Sequence, residues 1–278
     1  MQDAKCKLWL IGLMGLFLMP AMILATPTTK LVITDPVNGR VLEVGTDGAV
    51  IKVIDTFNNS SSLSHPTEAV PLVNGNILIA DKLNNRIVEV NVSKQVKREW
   101  TGYINPIDVR KCVWYDGANP NGTDTLLVVE EGMPGTVSER GYWDNFPYWS
   151  CDLNSPHEAE KRPGSGTPTY LVATSSGVSV IEDQTSIWNY PVEAYDAEWL
   201  PCGNILIAEY NQVIEVDNAG IVKKTWNGYD LGLNSIREAT LIEGNKILVA
   251  GGFYQSPYNY GKVVEAEFKE NGTLTGWS

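Results

Sequence analysis

Five acidic residues, Glu68, Asp108, Glu158, Asp196 and Glu238, recur at equivalent places in successive copies of a short segment, Pro-x-(Asp/Glu)-Ala or a variant of it. Carboxylates that converge on one confined space cannot all stay ionised without a cation or a basic partner. The ligands are hard oxygens, with no set of histidines or thiolates beside them, so calcium is the default ion for such a cluster. Arg237, beside Glu238, can neutralise part of the charge from within. The same spacing has a second reading, in which each acid accepts hydrogen bonds from backbone N–H groups of the neighbouring repeat and fixes how the repeats stack. Residue types and spacing leave both readings open.

Acid–base chemistry has few other candidates. The chain holds two histidines, His65 and His157, too few for a three-histidine metal centre. His157 stands just before Glu158, and Tyr195 just before Asp196, which makes this pair the acid–base candidates beside a metal-polarised carbonyl or leaving oxygen. A polar side chain at a strand entrance is the simpler role for His157. No Gly-rich phosphate loop, Cys-x-x-Cys pair or Gly-x-Ser-x-Gly elbow is present. With 33 acidic against 21 basic residues and a formal charge of -12, the surface repels nucleic acid and anionic lipid headgroups.

The elements that must position these residues follow from an internal repeat. Pro71-Leu72-Val73-Asn74-Gly75-Asn76-Ile77-Leu78-Ile79-Ala80-Asp81 returns as Trp199-Leu200-Pro201-Cys202-Gly203-Asn204-Ile205-Leu206-Ile207-Ala208-Glu209. Ile87-Val88-Glu89-Val90 likewise returns as Val213-Ile214-Glu215-Val216, an offset of 126 residues (215 − 89). That is about three units of the 40–45 residues that a four-stranded propeller blade takes. Val41 to Val44 and Val263 to Ala266 match the same strand, and fainter copies run from Asn105 and from Ser155, giving six units. Within a unit, an Asn-Gly turn, a short apolar run and an alternating run read as antiparallel strands, with no helical periodicity. Such sheets bury both faces by stacking radially. The prediction is an all-β, six-bladed β-propeller of four-stranded antiparallel blades. The first unit, from Leu31, lacks its innermost strand, which leaves ring closure open and five or seven blades as alternatives. Glu43, Glu89, Glu215 and Glu265 sit between apolar residues and read as outward or interblade groups.

This pattern resembles the NHL-type six-bladed propellers and is similar to arylsulfotransferase-like repeats. The resemblance covers roughly Leu31 to Trp277 and implies architecture more than activity. Where the arylsulfotransferase pattern has its histidine, this chain has Tyr195 in the fifth unit and Thr67 in the second; the fourth unit alone keeps it, as His157. A further similarity, to gluconolactonase-class propellers, implies a divalent cation held by the five acids in the central channel.

Between about 112 and 155 the repeat is stretched by an insertion carrying Tyr142, Trp143, Phe146, Tyr148 and Trp149, the candidate partner-binding residues. Aromatic loops on a rigid ring suit glycan faces or protein partners. The alternative is a small satellite core pinned by a Cys112–Cys151 disulfide, the preferred pair once Cys6 has left with the N-terminus. There, Lys5 and Lys7 precede an apolar run from Leu8 to Leu24 that ends at Ala25, the order of a secretory signal. Residues 1–25 are thus expected as a signal peptide, or an uncleaved signal anchor, and 26–278 as one propeller domain. Sequons at Asn58, Asn59, Asn91, Asn121 and Asn271 agree with export and glycosylation.

The functional expectation is a secreted or cell-surface propeller, monomeric and non-enzymatic, that binds a protein or glycan. It has no nucleic-acid partner and touches a membrane only through an uncleaved anchor. The alternatives are a calcium-dependent lactonase- or lyase-like enzyme and, third, arylsulfotransferase-like transfer at His157.

Overall fold

The computed structural model describes residues 30–45, 48–58, 60–116, 119–164, 167–243, 246–255, 258–268 and 274–277. The export segment and the sequons at Asn59 and Asn271 lie outside them.

Among the described residues, twenty-three strands form six antiparallel sheets, one per repeat. Blade 1 comprises β1 (Lys30–Asp35), β2 (Arg40–Gly45) and β3 (Val50–Ile54). Blade 2 runs from β4 (Pro66–Pro71) through β5 (Ile77–Asp81) and β6 (Arg86–Val90) to β7 (Val96–Thr101). Blade 3 consists of β8 (Pro106–Asp116), β9 (Asn119–Glu130), β10 (Gly135–Gly141) and β11 (Pro147–Leu153). In blade 4 the order is β12 (Pro156–Lys161), β13 (Thr169–Thr174), β14 (Gly177–Glu182), β15 (Thr185–Tyr190). Blade 5 contains β16 (Ala194–Trp199), β17 (Ile205–Glu209), β18 (Gln212–Val216) and β19 (Val222–Asn227). Blade 6 closes the chain with β20 (Ser235–Glu243), β21 (Lys246–Gln255), β22 (Tyr258–Phe268) and β23 (Leu274–Trp277). The fold is a six-bladed β-propeller. Its innermost strands β4, β8, β12, β16 and β20 pack in succession around the axis.

Local chemistry explains the repetition. The Asn74-Gly75-Asn76 and Cys202-Gly203-Asn204 turns close alike: Gly75 N–H bonds Leu72 O at 2.9 Å and Gly203 N–H bonds Leu200 O at 2.8 Å. Both glycines take φ of +81° and +90°, which side chains rarely adopt. The turn carboxamides then reach the glutamate of the third strand: Asn76 Nδ2 donates to Glu89 and Asn204 Nδ2 to Glu215, at 2.5 and 2.6 Å. Directly across from those glutamates in the fourth strand stand Arg98 and Lys224, and Lys52 faces Glu43 in the same way. The glutamates are structural, as the alternation of their flanks predicts.

Stacking buries both faces of the middle strands, so β5 and β6 are buried throughout. Five apolar clusters hold the blades together, each shared by two consecutive blades from 1/2 to 5/6. Packing of β1 against β4 in the next blade matches that of β5 against β8, which identifies β1 as a second strand. Among the described residues blade 1 therefore lacks its innermost strand, as its repeat pattern suggests.

Two expectations need correction. The aromatic stretch between Cys112 and Ser155 is not an irregular insertion: it forms most of blade 3, whose first hairpin has unusually long strands. Cys112 and Cys151 are not bridged; both are free thiols. They lie on β8 and β11, the opposite edges of one four-stranded sheet, three strand spacings or about 14 Å apart. A disulfide needs its Cα atoms within about 7 Å.

Candidate functional site

Three of the five innermost strands, β4, β8 and β12, enter with a sharp bend before a proline. His65, Asn105 and Ser155 adopt φ of +55°, +48° and +43° directly ahead of Pro66, Pro106 and Pro156. The third residue of β4, β8, β12 and β16 and the fourth of β20 are the ring acids, and the propeller brings Glu68, Asp108, Glu158, Asp196 and Glu238 within electrostatic reach of one another.

Most of the ring is wired by backbone donors. Asp108 Oδ2 accepts from Ala159 N–H at 3.1 Å, Glu158 Oε2 from Ala197 N–H at 3.3 Å, and Asp196 Oδ2 from Ala239 N–H at 2.8 Å. In each case the donor follows the acid of the next blade. A second tier lies two residues further along: Glu160 accepts from Trp199 N–H at 2.8 Å, and Glu198 from the Thr240 hydroxyl and Leu241 N–H. An innermost strand has no sheet partner on its channel side, and the preceding blade's carboxylates supply acceptors for its exposed N–H groups.

Arg110, two residues after Asp108, is the basic group of the ring. Its Nη2 donates to Glu158 Oε1 at 2.7 Å, and Nε lies 3.9 Å from Asp108 Oδ2. Burial opposes its charge, but Glu158 and Asp108 outweigh that and push its pKa further up. One guanidinium does not balance five acids. Burial, reinforced by Asp108 and Glu238, pushes the Glu68 carboxyl up to about 8, and burial with Glu238 pushes Asp196 up to about 7. Burial likewise raises Asp108 and Glu158. Asp108 Oδ1 is buried with no hydrogen-bond partner. Among the described residues no three His, Cys, Asp or Glu side chains are grouped as metal ligands would be.

His157 and Tyr195 do come together, their rings stacked 5.1 Å apart and inclined by 9°. His157 Nδ1 bonds the Ala194 carbonyl at 2.7 Å, which ties the imidazole to the next blade. The Tyr195 hydroxyl donates to Glu193 at 3.0 Å, and burial and that bond push its pKa up. Arg237 lies 4.1 Å from the centre of the Tyr195 ring, as a cation–π partner.

The aromatic candidates of blade 3 separate into two groups. Tyr142 is buried between blades 2 and 3 and donates its hydroxyl to the buried Glu89. Trp149 stacks on Tyr170 at 3.9 Å between blades 3 and 4. Tyr148 bridges Trp114 and Phe146. Trp143 and Phe146 are the outward pair, 64% and 61% exposed, at the turn between β10 and β11. Arg98, from β7, places its guanidinium carbon 3.8 Å from the Trp143 ring centre and 5.2 Å from that of Tyr142. Arg98, Tyr142 and Trp143, with Lys97, Trp100 and Asn145, line an open depression of about 420 Å³ at the rim. Pairing of Arg98 with Trp143 across two blades has no local signature in the chain. Arg110, Glu160 and Glu198 lie two residues past a ring acid, and strand alternation alone places them on the same side.

No family model matches the chain, and no curated protein matches it. Solved structures do match, over most of its length. A protein of unknown function from Bacteroides caccae aligns with a TM-score of 0.65 at 12% identity, covering 90% of this chain and 93% of that one. The WD40 β-propeller domain of Doa1 aligns with a TM-score of 0.64 at 13% identity, over 91% and 79%. BBS1N, in complex with ARL6DN, aligns with a TM-score of 0.56 at 11% identity, over 89% and 86%. At these identities the likeness is one of fold.

Proposed function

We propose that this chain is an exported binding or scaffold propeller of NHL-like repeats, released or displayed at the cell surface, that recognises a protein or glycan through the rim between blades 2 and 3. The observation that carries this reading is the exposed pair Trp143 and Phe146 on a tight hairpin, with the Arg98 guanidinium stacked against Trp143. Large exposed aromatics beside an arginine are the residue types that anchor interfaces. BBS1N, a neighbour in fold, is seen in complex with ARL6DN. In this reading the signal is cut near Ala25 and the domain acts as a monomer. The test is binding of the labelled protein to a glycan array and to intact cells. Combined Trp143→Ala and Phe146→Ala substitution should cut binding at least about tenfold, which is roughly 1.4 kcal/mol. Unchanged binding by the double variant overturns the reading.

A second reading, a calcium-dependent lactonase- or lyase-like enzyme, draws on the surplus of carboxylates over Arg110 and on the unpartnered Asp108 Oδ1. Three of the five acids already have one oxygen engaged by a backbone N–H, which leaves few free ligand atoms. Thermal unfolding in chelator and then in calcium separates the two: occupancy at a hundred times Kd adds about 2.7 kcal/mol. Transfer at His157, as in arylsulfotransferase-like propellers, would have to use Nε2, since Nδ1 is engaged by Ala194 O.

A further inference from the structure

The joint between blades 6 and 1 differs from the other five. At those five, most facing residues of the middle strands are buried, the half-buried ones including Val32 and Thr34 of the edge strand β1 and Ser179 of β14. Leu206, Ala208 and Val213 of blade 5 are 1%, 1% and 0% exposed, and Ile77, Ile79 and Val88 of blade 2 are 3%, 0% and 0% exposed. Their counterparts at the 6/1 joint are Leu248, Ala250 and Val263 on one side and Leu31, Ile33 and Leu42 on the other. All six are only half-buried. None belongs to a buried apolar cluster among the described residues.

The polar wiring runs from blade 3 to blade 6 and is absent here, as it is between blades 2 and 3, where Glu68 accepts no such bond among the described residues. Asp108, Glu158 and Asp196 each accept from the N–H of the residue after the acid in the next blade. Glu238 has no such donor among the described residues, because blade 1 has no innermost strand there, and its side chain is exposed. The channel-side edge of β1 is unpaired by any described strand, with one side-chain bond across it, from the Thr34 hydroxyl to Thr67 O at 3.3 Å. Glu68 and Glu238 flank this opening, and Arg110 is the basic residue of the ring they belong to.

We propose that this opening is a peptide-binding groove: an extended segment of another polypeptide pairs with the edge of β1 as the missing innermost strand and presents a lysine or arginine to the acidic ring. Backbone pairing along an open sheet edge supplies affinity, and alternate side chains supply selectivity. The incoming backbone gives Glu238 the N–H that Asp108, Glu158 and Asp196 already have. Its apolar side chains complete the burial of Leu31, Ile33, Leu248 and Val263. Charge complementarity sets the basic position, because a sixth acid would join five that already share one guanidinium. This groove lies at the axis and is independent of the Trp143 rim.

Two capped peptides test the proposal on the full chain. HPTEAVP is the sequence of His65 to Pro71, and HPTKAVP replaces its glutamate by lysine. Fluorescence anisotropy should show saturable binding of HPTKAVP, at least tenfold tighter than HPTEAVP. Glu238→Gln should weaken it about tenfold, and amides of β1 should gain protection from hydrogen exchange. Equal binding of both peptides, or binding insensitive to Glu238→Gln, overturns it. So does failure of HPTKAVP to bind the full chain, including the case in which it binds only after the residues before Thr26 are removed. That last outcome would assign the groove to the chain's own N-terminal segment.

Discussion

Asp196 Oδ2 accepts a hydrogen bond from the backbone N–H of Ala239, one blade away, at 2.8 Å. Asp108 and Glu158 repeat this contact with Ala159 and Ala197. The acid recurs because an innermost strand exposes N–H groups to the channel, and only the neighbouring blade is close enough to accept from them.

Asp196→Ala should therefore cost about 1–3 kcal/mol, the penalty for leaving a buried donor unsatisfied. Asp196→Asn keeps an acceptor oxygen at the same reach and should cost less. Chemical denaturation of both variants checks this, and equal losses would show that the charge, rather than the acceptor, is what the site requires.

The ring should also set the pH dependence of stability. Glu68 is raised to about 8 and Asp196 to about 7 in the folded chain, above their ordinary values of 4.5 and 3.8. Between those limits the folded state holds protons that the unfolded state has released, so stability falls as pH rises from about 4.5 to 8 and levels off above. Glu68→Gln should match the parent at pH 5 and exceed it at pH 8, by about 2–4 °C in Tm for each 1 kcal/mol relieved. A parent stability that is flat over this range would contradict the assignment.

Blades 3 and 4 are joined by a buried ion pair. Lys161 Nζ lies 2.8 Å and 2.9 Å from the oxygens of Glu139, which also accept from Tyr170 at 2.6 Å and from Thr125. Glu139 is 0% exposed. Lys161→Met should destabilise by about 3–5 kcal/mol, because it strands a buried carboxylate, and adding Glu139→Leu should recover part of that loss. Calorimetry of the single and double variants measures the difference. Additive losses would show that the two groups do not act as a pair.

The sequence by itself determined the blades. Its 126-residue offset, Gly-Asn turns and short alternating runs are local signals, and the strands of blades 2 and 5 form where they place them, whereas blade 3 fills a stretch that reads as an insertion. The periodic acid, the structural role of Glu89 and Glu215, and the missing first strand were legible for the same reason: each depends on position within one unit. The tertiary structure alone decided everything that crosses between units. Asp108, Glu158 and Asp196 met backbone donors one blade on, and Arg110 entered their ring from a blade whose repeat is faint. Cys112 and Cys151 bracket one stretch of chain but sit on opposite edges of a sheet, since strand order converts nearness in sequence into distance across it. Tyr142 and Trp143 are adjacent in sequence, yet strand alternation sends one into the core and the other to the rim. Arg98 selects Trp143 from the neighbouring blade, a contact created by radial stacking and unwritten in either segment alone.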